Sequence, residues 1–413
     1  MKPVLIILSA GQSEYREFML ARIADRYRLA LISPEPVTWE AAYIVDHLVV
    51  PPADIDGFIA AAVDLAARNP IAGVFTYDEW CVGTAARIAE LLELPHCPLE
   101  AVSRCRDKWA SREAWREAGV PSAASELVSS PAEAQEAASR IGYPVVVKPR
   151  ALSASFAVTR AFGPEDLAPA FDSALTSGPK RAWHHLRGVL VEEYLDGPEI
   201  SVDSTVSAGR VAPVIYAKKV LGYAPHFEEV GHIVAPAEEI TPDAARVADV
   251  VRAAHAALGV DETVTHTEIR LTSAGPRIVE VNGRLGGGLI PELALLATGY
   301  DIGLAGADIA AGRVPPGPAA GEGRAAGIRF FYAETAGVVQ SCDIDPELKE
   351  APWIHRLEWL LPPGSEVRPE PGRRFFARAG FAIVLAGSVA ECESRMQTLT
   401  DHVSIRLDDH GRS

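Results

Sequence analysis

The stretch IVEVNGRLGGG, residues 278–288, carries the strongest structural signal in the chain. Val279 and Val281 alternate with Glu280 and Asn282, which predicts a strand with its two polar side chains on one face. The three glycines that follow predict a flexible loop. An earlier segment, Val264–Leu271, also reads as a strand, and the short connection of residues 272–276 makes the two strands a hairpin.

A turn centred at Ala274 places Glu268 directly opposite Glu280, with His266 and Asn282 beside them. Like charges in this position destabilise a bare sheet, and a bound cation removes the conflict. Oxygen ligands suit Mg²⁺, which commonly takes one or two carboxylates together with substrate phosphates. The alternative, a pair of solvated surface carboxylates, is disfavoured by the neighbouring valines and the glycine run. We therefore predict a metal site at Glu268, Glu280 and Asn282.

The first hundred residues alternate short apolar runs with helical segments, starting from a buried strand at Val4–Leu8. Further strands are predicted at Leu29–Ile32, His47–Val50 and Ile71–Phe75, with helices between them. This rhythm predicts a parallel sheet covered by helices on both faces. The absence of a GxGxxG motif argues against a dinucleotide site here.

Two long helices are predicted further along, at Arg104–Ala118 and at Thr241–Leu258. A proline- and glycine-rich linker at Val314–Gly323 precedes about 90 residues of mixed strand and helix character. The run Trp183-His184-His185 is predicted to lie on the surface. We expect four domains: residues 1–103, 104–190, 191–312 and 324–413.

The composition is that of a globular protein: 413 residues, 48% hydrophobic and 23% charged, with a net charge of −16. The negative charge argues against nucleic-acid or anionic-membrane partners. No uncharged stretch approaches the ~18–20 residues of a membrane helix, and the N-terminus reads as a strand and not as a signal peptide. The five cysteines match no metal motif, so reduced thiols and a cytoplasmic location are expected.

Lys108, at the head of a helix, and Lys148, at the end of an apolar strand, are candidates for binding phosphate. Taken alone, Lys148 is more typical of an ordinary surface lysine at the end of a strand. The segment Val191–Glu199 runs from a strand into an extended hinge, whose backbone groups could meet an adenine edge while Glu199 accepts hydrogen bonds from ribose hydroxyls. The alternative for this segment is a turn with solvated acids.

The order of these elements, over about residues 1–310, resembles the ATP-grasp ligases. Within that superfamily, His266-Thr267-Glu268, the Arg284–Gly288 stretch and residues 225–232 are most similar to L-amino acid ligases (dipeptide synthetases) and carnosine synthases. The resemblance implies an α/β and α+β multidomain ATP-grasp fold, with an N-terminal Rossmann-like parallel-sheet domain and a C-terminal α+β lobe.

The resemblance also implies roles in nucleotide binding. Lys108 and Lys148 would hold the phosphates, and Glu199 the ribose. One of Lys218 and Lys219, with Lys219 as the candidate, would approach the γ-phosphate. The adenine would contact the backbone of Glu192 and Leu195, with Glu193 beside them.

For the metal and the reaction, the resemblance implies two Mg²⁺ ions, with Mn²⁺ as the alternative ion, on the three metal ligands predicted above. Arg284 would pair with a substrate carboxylate or acyl-phosphate. The glycine loop, through Gly287 and Gly288, would offer N–H groups to an oxyanion. His266 is a candidate for shaping the amino-acid pocket or accepting a proton from the amine.

One segment departs from the pattern of the family. The loop that covers the phosphates is rich in Ser and Gly in many relatives, whereas residues 150–158 read RALSASFAV and contain no glycine. The N–H groups of Ser155 and Phe156 could still cap the phosphates, although positive φ angles are costly without glycine.

The function implied is an ATP-dependent, ADP-forming ligase that joins a small-molecule carboxylate to an amine, with a dipeptide or an amino-acid conjugate as product. A homodimer is the expected assembly. Two alternatives remain open at this stage: a ligase or carboxylase of the purine or bicarbonate type, and an ATP-binding protein without catalysis.

Overall fold

The computed structural model describes residues 2–152, 155–176, 186–317 and 323–408. The predicted surface run at residues 183–185 lies outside these ranges. So do residues 153–154 of the phosphate loop and residues 318–322 of the predicted linker.

The N-terminal part forms the predicted parallel sheet, with strand order β3-β2-β1-β4. Its strands are almost continuously apolar and buried, as expected for a sheet covered on both faces. The elements, in chain order, are β1 (Val4–Leu8), α1 (Ser13–Arg26), β2 (Arg28–Ser33), β3 (Ile44–Val49), α2 (Ile55–Arg68), β4 (Ile71–Phe75) and α3 (Val82–Leu91).

A second, four-stranded antiparallel sheet, called the small sheet below, follows with strand order β5-β8-β6-β7. Two helices, α6 and α7, pack against it through alanines, leucine and phenylalanine. The elements are α4 (Leu99–Arg106), α5 (Lys108–Glu117), β5 (Ser125–Val128), α6 (Pro131–Ile141), β6 (Val145–Pro149), β7 (Thr159–Ala161), α7 (Pro164–Thr176) and β8 (Val189–Glu193).

The predicted continuous helix Arg104–Ala118 is wrong, because the chain breaks it into α4 and α5 at Asp107. Asp107 is extended, with φ −104° and ψ 101°, and its carboxylate accepts hydrogen bonds from the N–H groups of Trp109 and Ala110 at 3.1 and 3.3 Å. This is an N-cap, and it starts a new helix with Lys108 as its first residue.

The third part of the chain builds most of a large antiparallel sheet, called the central sheet below. Its elements are β9 (Glu199–Ser207), β10 (Arg210–Gly222), β11 (Glu228–Ala235), α8 (Ala237–Ile240), α9 (Ala244–Leu258), β12 (Thr263–Thr272), β13 (Gly275–Asn282), α10 (Ile290–Thr298) and α11 (Ile302–Ala310). The predicted start of the long helix at Thr241 is wrong. Thr241 is extended and its hydroxyl accepts from the N–H of Asp243, so α9 begins only at Ala244.

The C-terminal strands extend the central sheet, whose full order is β13-β12-β9-β10-β11-β14-β18-β16. The remaining strands form a three-stranded sheet in the order β17-β15-β19. The elements are β14 (Ala325–Tyr332), β15 (Gly337–Ile344), α12 (Pro346–Lys349), β16 (Ile354–Trp359), β17 (Glu366–Val367), β18 (Arg378–Ala386), α13 (Val389–His402) and β19 (Val403–Asp408).

Close packing joins the N-terminal sheet to the central sheet through α11. The hydroxyl of Tyr27 donates to Asp308 at 2.6 Å. A Cβ atom on Gly73 would lie 2.2 Å from the carbonyl oxygen of Ala310, so only glycine lets β4 approach α11 this closely. The two sheets share one hydrophobic core.

Two remaining expectations concern thiols and membrane spans. All five cysteines are free thiols, as predicted. Among the described residues, no single helix has the length and hydropathy of a membrane span. Helices α10 and α11 meet both criteria, length and hydropathy, only when they are taken together, and they are bent by 109° relative to each other.

Candidate active site

A cavity of 100 Å³, called the first cavity below, lies between the small sheet and the central sheet. It brings together most of the residues predicted to bind nucleotide or metal: Lys108, Lys148, Ser155, Phe156, Glu192, Glu193, Leu195, Glu199, Glu268, Glu280, Asn282 and Arg284. His266, Gly287 and Gly288 line a neighbouring cavity instead. Lys219 lines neither cavity, but its ammonium group contacts Glu199 and Glu268.

The hairpin of β12 and β13 pairs Glu268 with Glu280 and His266 with Asn282, which confirms the predicted pairing. The turn itself is shorter than expected, since Thr272 already pairs with Gly275. A bulge at Val279 supplies the extra residue that restores the predicted partners, because Ile269 pairs with Ile278 and Glu268 with Glu280. The two carboxylates therefore face the first cavity side by side.

The donors present fit a hard divalent cation only in part. Within the described part of the chain, no three His, Cys, Asp or Glu side chains converge as a metal site. Two carboxylates and the Asn282 amide oxygen supply few ligands, and phosphate and water oxygens would have to complete the shell of a Mg²⁺ or Mn²⁺ ion. In the structure ammonium groups compensate the charge, with Lys219 at 2.9 Å from Glu268 and Lys108 at 2.8 Å from Glu280.

Lys148 and Arg112 both bind Glu192 on the small sheet. The ammonium group of Lys148 lies 2.6 Å from one carboxylate oxygen, and Arg112 donates at 2.9 and 3.1 Å. Burial alone would raise the pKa of Glu192, but Arg112 and Lys148 lower it to about 2. Burial and the positive charges of Arg112 and Lys108 lower the pKa of Lys148, against the pull of Glu192. The group carries more positive than negative charge and faces the first cavity.

Lys219 is the centre of the opposite arrangement in the central sheet. Its ammonium group lies 2.6 Å from Glu199 and 2.9 Å from both Glu229 and Glu268. Burial would lower the pKa of Lys219, but the three carboxylates hold it well above its ordinary value. Lys218, the alternative candidate, points to the other face, where it is partly exposed and pairs with Glu393. Strand alternation thus directs Lys219, not Lys218, toward the site.

His266 is held from both sides by carboxylates. Its Nδ1 lies 2.6 Å from Asp203 and its Nε2 lies 3.7 Å from Glu268. Burial would lower the pKa of His266, but Asp203 and Glu268 raise it to about 9. The raised pKa favours the protonated form of this imidazole, which the two carboxylates flank. Asp203 also accepts the N–H of Gly286 at 3.0 Å, which anchors the glycine loop.

The glycine-free phosphate loop adopts the costly conformation expected of it. Leu152, Ser155 and Ala157 all have positive φ, at 105°, 54° and 54°. The loop is fastened at one end by the ammonium group of Lys108, which donates to the carbonyl of Leu152 at 2.7 Å. At its tip, Phe156 stacks on Phe376 of the C-terminal region with ring centroids 5.5 Å apart. These contacts hold the backbone of the loop over the first cavity.

The hinge between β8 and β9 is pinned to the central sheet. Gly197 has φ +81°, and a Cβ there would lie 2.1 Å from the carbonyl oxygen of Leu271. Arg270 donates to the carbonyl of Gly197 at 2.9 Å and also binds Glu199 at 2.8 Å. Glu193 is tied to Arg277 at 2.7 Å. The carboxylate predicted to hold a ribose is thus placed at the cavity wall between two cations.

A second cavity, of 140 Å³, adjoins the first and shares Glu268 and Arg284 with it. The guanidinium of Arg284 is oriented by Glu79, to which its Nε donates at 2.8 Å. Gly288 has φ +57°, and a Cβ there would lie 2.6 Å from Nε2 of His232. The second cavity is lined by Glu228, Glu229, His232, His266, Glu268, Arg284, Gly287, Gly288, Ile290, Tyr332, Phe375 and Arg378.

Sequence reasoning missed three charged partners of the site. Asp203 orients His266, Glu229 shares Lys219, and Arg112 holds Glu192. Alternation along the strand and helix spacing offered only weak signals for them. All three are buried or partly buried charges whose partners lie at least 10 residues away along the chain, so no local motif marks them.

Comparisons with known proteins identify two domains and support the fold. Two family models match the chain: the ATP-grasp domain at residues 141–292 and the L-amino acid ligase C-terminal domain 2 at residues 329–408. The crystal structure of an L-amino acid ligase from Bacillus licheniformis superimposes with a TM-score of 0.84 over 99% of both chains, at 23% identity. That likeness confirms the predicted fold.

Relatives among curated proteins are also low in sequence identity. An uncharacterized protein of Sinorhizobium fredii is 27% identical over 413 residues, covering 98% of this chain and 83% of that protein. Alanine–anticapsin ligase from Bacillus subtilis is 25% identical over 238 residues, covering 53% of this chain and 50% of the ligase. The match thus spans half the length of that ligase. This chain carries an ATP-grasp domain at residues 141–292 and a C-terminal domain of the L-amino acid ligase type at residues 329–408.

Proposed function

We propose that this protein is an ATP-dependent carboxylate–amine ligase that forms ADP and phosphate, with amino acids as its substrates. One observation carries the proposal: Glu268 and Glu280 face each other at a cavity that also holds Lys108 and Lys148, and that cavity shares Glu268 and Arg284 with a second one. A site for a nucleotide and a site for an acid therefore meet at a guanidinium group.

The first cavity has the charges needed to position a nucleotide triphosphate. Lys108 and Lys148 would bind its phosphates, and Glu199 its ribose. Glu268, Glu280 and Asn282 would hold Mg²⁺, which when bound neutralises charge on the transferred phosphoryl group. The N–H groups of the loop near Ser155 and Phe156 would then cover the phosphates and exclude water.

The reaction would proceed in two steps. The substrate carboxylate attacks the γ-phosphorus, the bond to the β-phosphate oxygen breaks, and ADP leaves. The amine nitrogen of the second substrate then attacks the acyl carbon, loses a proton, and expels phosphate to leave an amide. Arg284 would pair with the carboxylate and then with the acyl-phosphate, while the Gly287 and Gly288 backbone offers N–H groups to the oxyanion.

The role of His266 follows from its charge state. Because Asp203 and Glu268 raise the pKa of His266 to about 9, the imidazole stabilises developing negative charge better than it accepts a proton from the amine. We propose that it acts as a hydrogen-bond donor beside the reacting carboxylate, held in place by Asp203.

Phosphate release from ATP and Mg²⁺, measured across pairwise mixtures of amino acids with mass spectrometry of the products, tests the function. ADP, phosphate and a mass equal to two amino acids less water are expected together for at least one pair. Phosphate release with bicarbonate but with no amino-acid pair would replace the proposal by a carboxylase-type reaction. Tight ATP binding without phosphate release in any mixture would favour a non-catalytic nucleotide-binding protein.

A further inference from the structure

Arg378, on β18, is a buried cation at the wall of the second cavity and is only 7% exposed. Its guanidinium lies over the ring of Phe330 at 3.6 Å from the centroid and over that of Phe375 at 4.7 Å. Its Nε and Nη2 donate to the hydroxyl of Tyr332 at 3.2 and 3.0 Å, and Nη1 donates to that of Tyr15 at 3.2 Å. The group is therefore caged by aromatic rings and two phenol hydroxyls.

The cage fixes the orientation of the guanidinium. The hydroxyl of Tyr332 donates its own proton to the carbonyl of Glu229 at 2.7 Å, so its lone pairs are turned toward Arg378. Three N–H···O contacts and the ring above it leave the arginine little rotational freedom. Such preorganisation is typical of a group that recognises a ligand in a defined direction.

Arg378 differs from the other buried arginines of the site in having no counterion. Arg112, Arg270 and Arg284 each bind a carboxylate of this chain within 3 Å. Over the described ranges of the chain, the polar groups that act on Arg378 are the hydroxyls of Tyr332 and Tyr15, and no carboxylate is ion-paired with it. A buried charge is costly unless it is paired, so an anion from outside the chain would complete this site.

The position of Arg378 indicates which anion. Arg284 lines both cavities and so lies at the junction with the predicted metal site, whereas Arg378 lines only the second cavity. A substrate group at Arg378 is thus on the side remote from the phosphates. Glu228 and Glu229 line the same cavity and would suit an ammonium group. This combination fits the zwitterion of an amino acid.

We propose that Arg378 binds a substrate carboxylate that is not phosphorylated in the reaction. The inference rests on the proposed function for its biological meaning, although the binding site itself does not depend on turnover. Two sources carry this chemistry: the α-carboxylate of the amino acid that supplies the amine, and a side-chain carboxylate of the acid that is activated. Arg378 would then determine specificity for charged over neutral substrates.

Equilibrium binding separates the two sources without requiring turnover. The thermal stabilisation of the protein by a ligand is measured in the presence of Mg²⁺ and a non-hydrolysable ATP analogue. The first set of ligands compares each of the twenty proteinogenic amino acids with its α-amide. The second set compares glutamate with glutamine, and aspartate with asparagine. We expect the wild type to prefer the carboxylate member of at least one set. Arg378→Gln should weaken that binding by about 10- to 100-fold and leave the neutral member unchanged.

Matched variants keep the test independent of folding. Arg378→Lys keeps the cation and should retain part of the preference even where Arg378→Gln is unstable. Arg356→Gln removes another arginine that lies over a phenylalanine of the same sheet but is paired with Glu292 at 3.0 Å, and it should leave the preference intact.

If Arg378→Gln loses the preference only between amino acids and their α-amides, Arg378 binds the α-carboxylate of the amine-supplying substrate. If it loses the preference only between acidic side chains and their amides, Arg378 binds the side-chain carboxylate of the activated acid. A preference that survives Arg378→Gln and Arg378→Lys equally, or a wild type that binds no carboxylate, contradicts the inference. Carboxylate binding through Arg378 without phosphate release in any mixture would contradict the proposed function alone. Turnover with an unaltered preference would contradict only the inference.

Discussion

Two groups of buried and partly buried charges lie beside the first cavity, and they are unbalanced in opposite directions. On the small sheet, Lys148 and Arg112 share the single carboxylate of Glu192. In the central sheet, the cations of Lys219, Arg270 and His266 lie among four carboxylates, those of Glu199, Asp203, Glu229 and Glu268. One group has more cations than anions, and the other has the reverse.

The difference shows how the balance of charges within the chain can predict the charge of a ligand that binds beside it. Charges that balance within the chain need nothing further, whereas a surplus next to a cavity marks the sign of what binds there. The surplus of positive charge on the small sheet suits phosphates. The surplus of negative charge in the central sheet suits a divalent cation. A nucleotide triphosphate with its metal ion would satisfy both at once.

The largest effect is expected from removing Lys219. Lys219→Met would remove the buried cation that Glu199, Glu229 and Glu268 share, and should lower the free energy of unfolding by about 3–5 kcal/mol, measured by urea denaturation. Added Mg²⁺ should recover part of this loss if the carboxylates bind metal. Lys218→Met, which removes the neighbouring exposed lysine, should cost less than about 1 kcal/mol. Equal losses of unfolding free energy for the two variants would contradict the role of Lys219 as the cation of the central-sheet group.

The next effect concerns the proposed metal site of the central sheet. Glu280→Gln keeps the shape of the side chain but removes a charge opposite Glu268, so the rate of ATP-dependent phosphate release should fall by about 100-fold or more. Glu262→Gln is the matched control, since that carboxylate caps the N–H of Ala208 at 2.8 Å in a turn outside both cavities. An unchanged rate for Glu280→Gln would remove Glu280 from the proposed site.

The small-sheet group is tested by the pH dependence of stability. The folded-state pKa of Glu192, about 2, lies below its ordinary value of 4.5, so its ionisation stabilises the fold fully above pH 4.5 and progressively less as the pH falls toward 2. Glu192→Gln should be less stable than the wild type by about 1.5–3 kcal/mol at pH 7, and this gap should close between pH 4.5 and 2.

Thermal unfolding of both proteins across that pH range measures the gap. Glu126→Gln, which breaks the exposed pair with Arg140, provides the comparison and should differ little from the wild type at any pH. A gap for Glu192→Gln that stays constant down to pH 2 would show that the carboxylate is not held ionised by Lys148 and Arg112.

The smallest effect is expected where the phosphate loop meets the C-terminal region. Phe376→Ala removes the ring that stacks on Phe156, an interaction of about 0.5–1.5 kcal/mol. The KM for ATP should rise by up to about 10-fold, with a smaller change in kcat. Phe162→Ala removes an exposed phenylalanine near β7, and it should leave both parameters close to the wild-type values. The same rise in both variants would argue against a role for the stack.

The sequence predicted what depends on local spacing. The parallel sheet follows from alternating apolar runs, and the pairing of Glu268 with Glu280 follows from the period of two along each strand. The predicted pairing was correct only because two differences between the predicted and the observed hairpin cancel each other. The turn is tighter than predicted, and the bulge at Val279 adds back one residue.

What the sequence could not predict depends on contacts between distant segments. At the helix break, the carboxylate of Asp107 also accepts from Arg150, 43 residues away, at 2.8 Å. The choice of Lys219 over Lys218 depended on which face of β10 meets the carboxylates. Arg378 lies about 90 residues beyond the last recognisable motif and reaches the site only because β18 continues the central sheet. Contacts between distant segments, which the pattern of residues does not specify, decided each case.

Transfer of an oxygen isotope tests the central claim most directly. The protein is supplied with ATP, Mg²⁺ and an active pair of amino acids, one of them labelled with ¹⁸O in its carboxylate, and the released phosphate is analysed by mass spectrometry. If the carboxylate attacks the γ-phosphorus, the phosphate carries one ¹⁸O when the activated acid is the labelled partner. Phosphate that is unlabelled with either partner labelled would contradict an acyl-phosphate route and with it the proposed ligase.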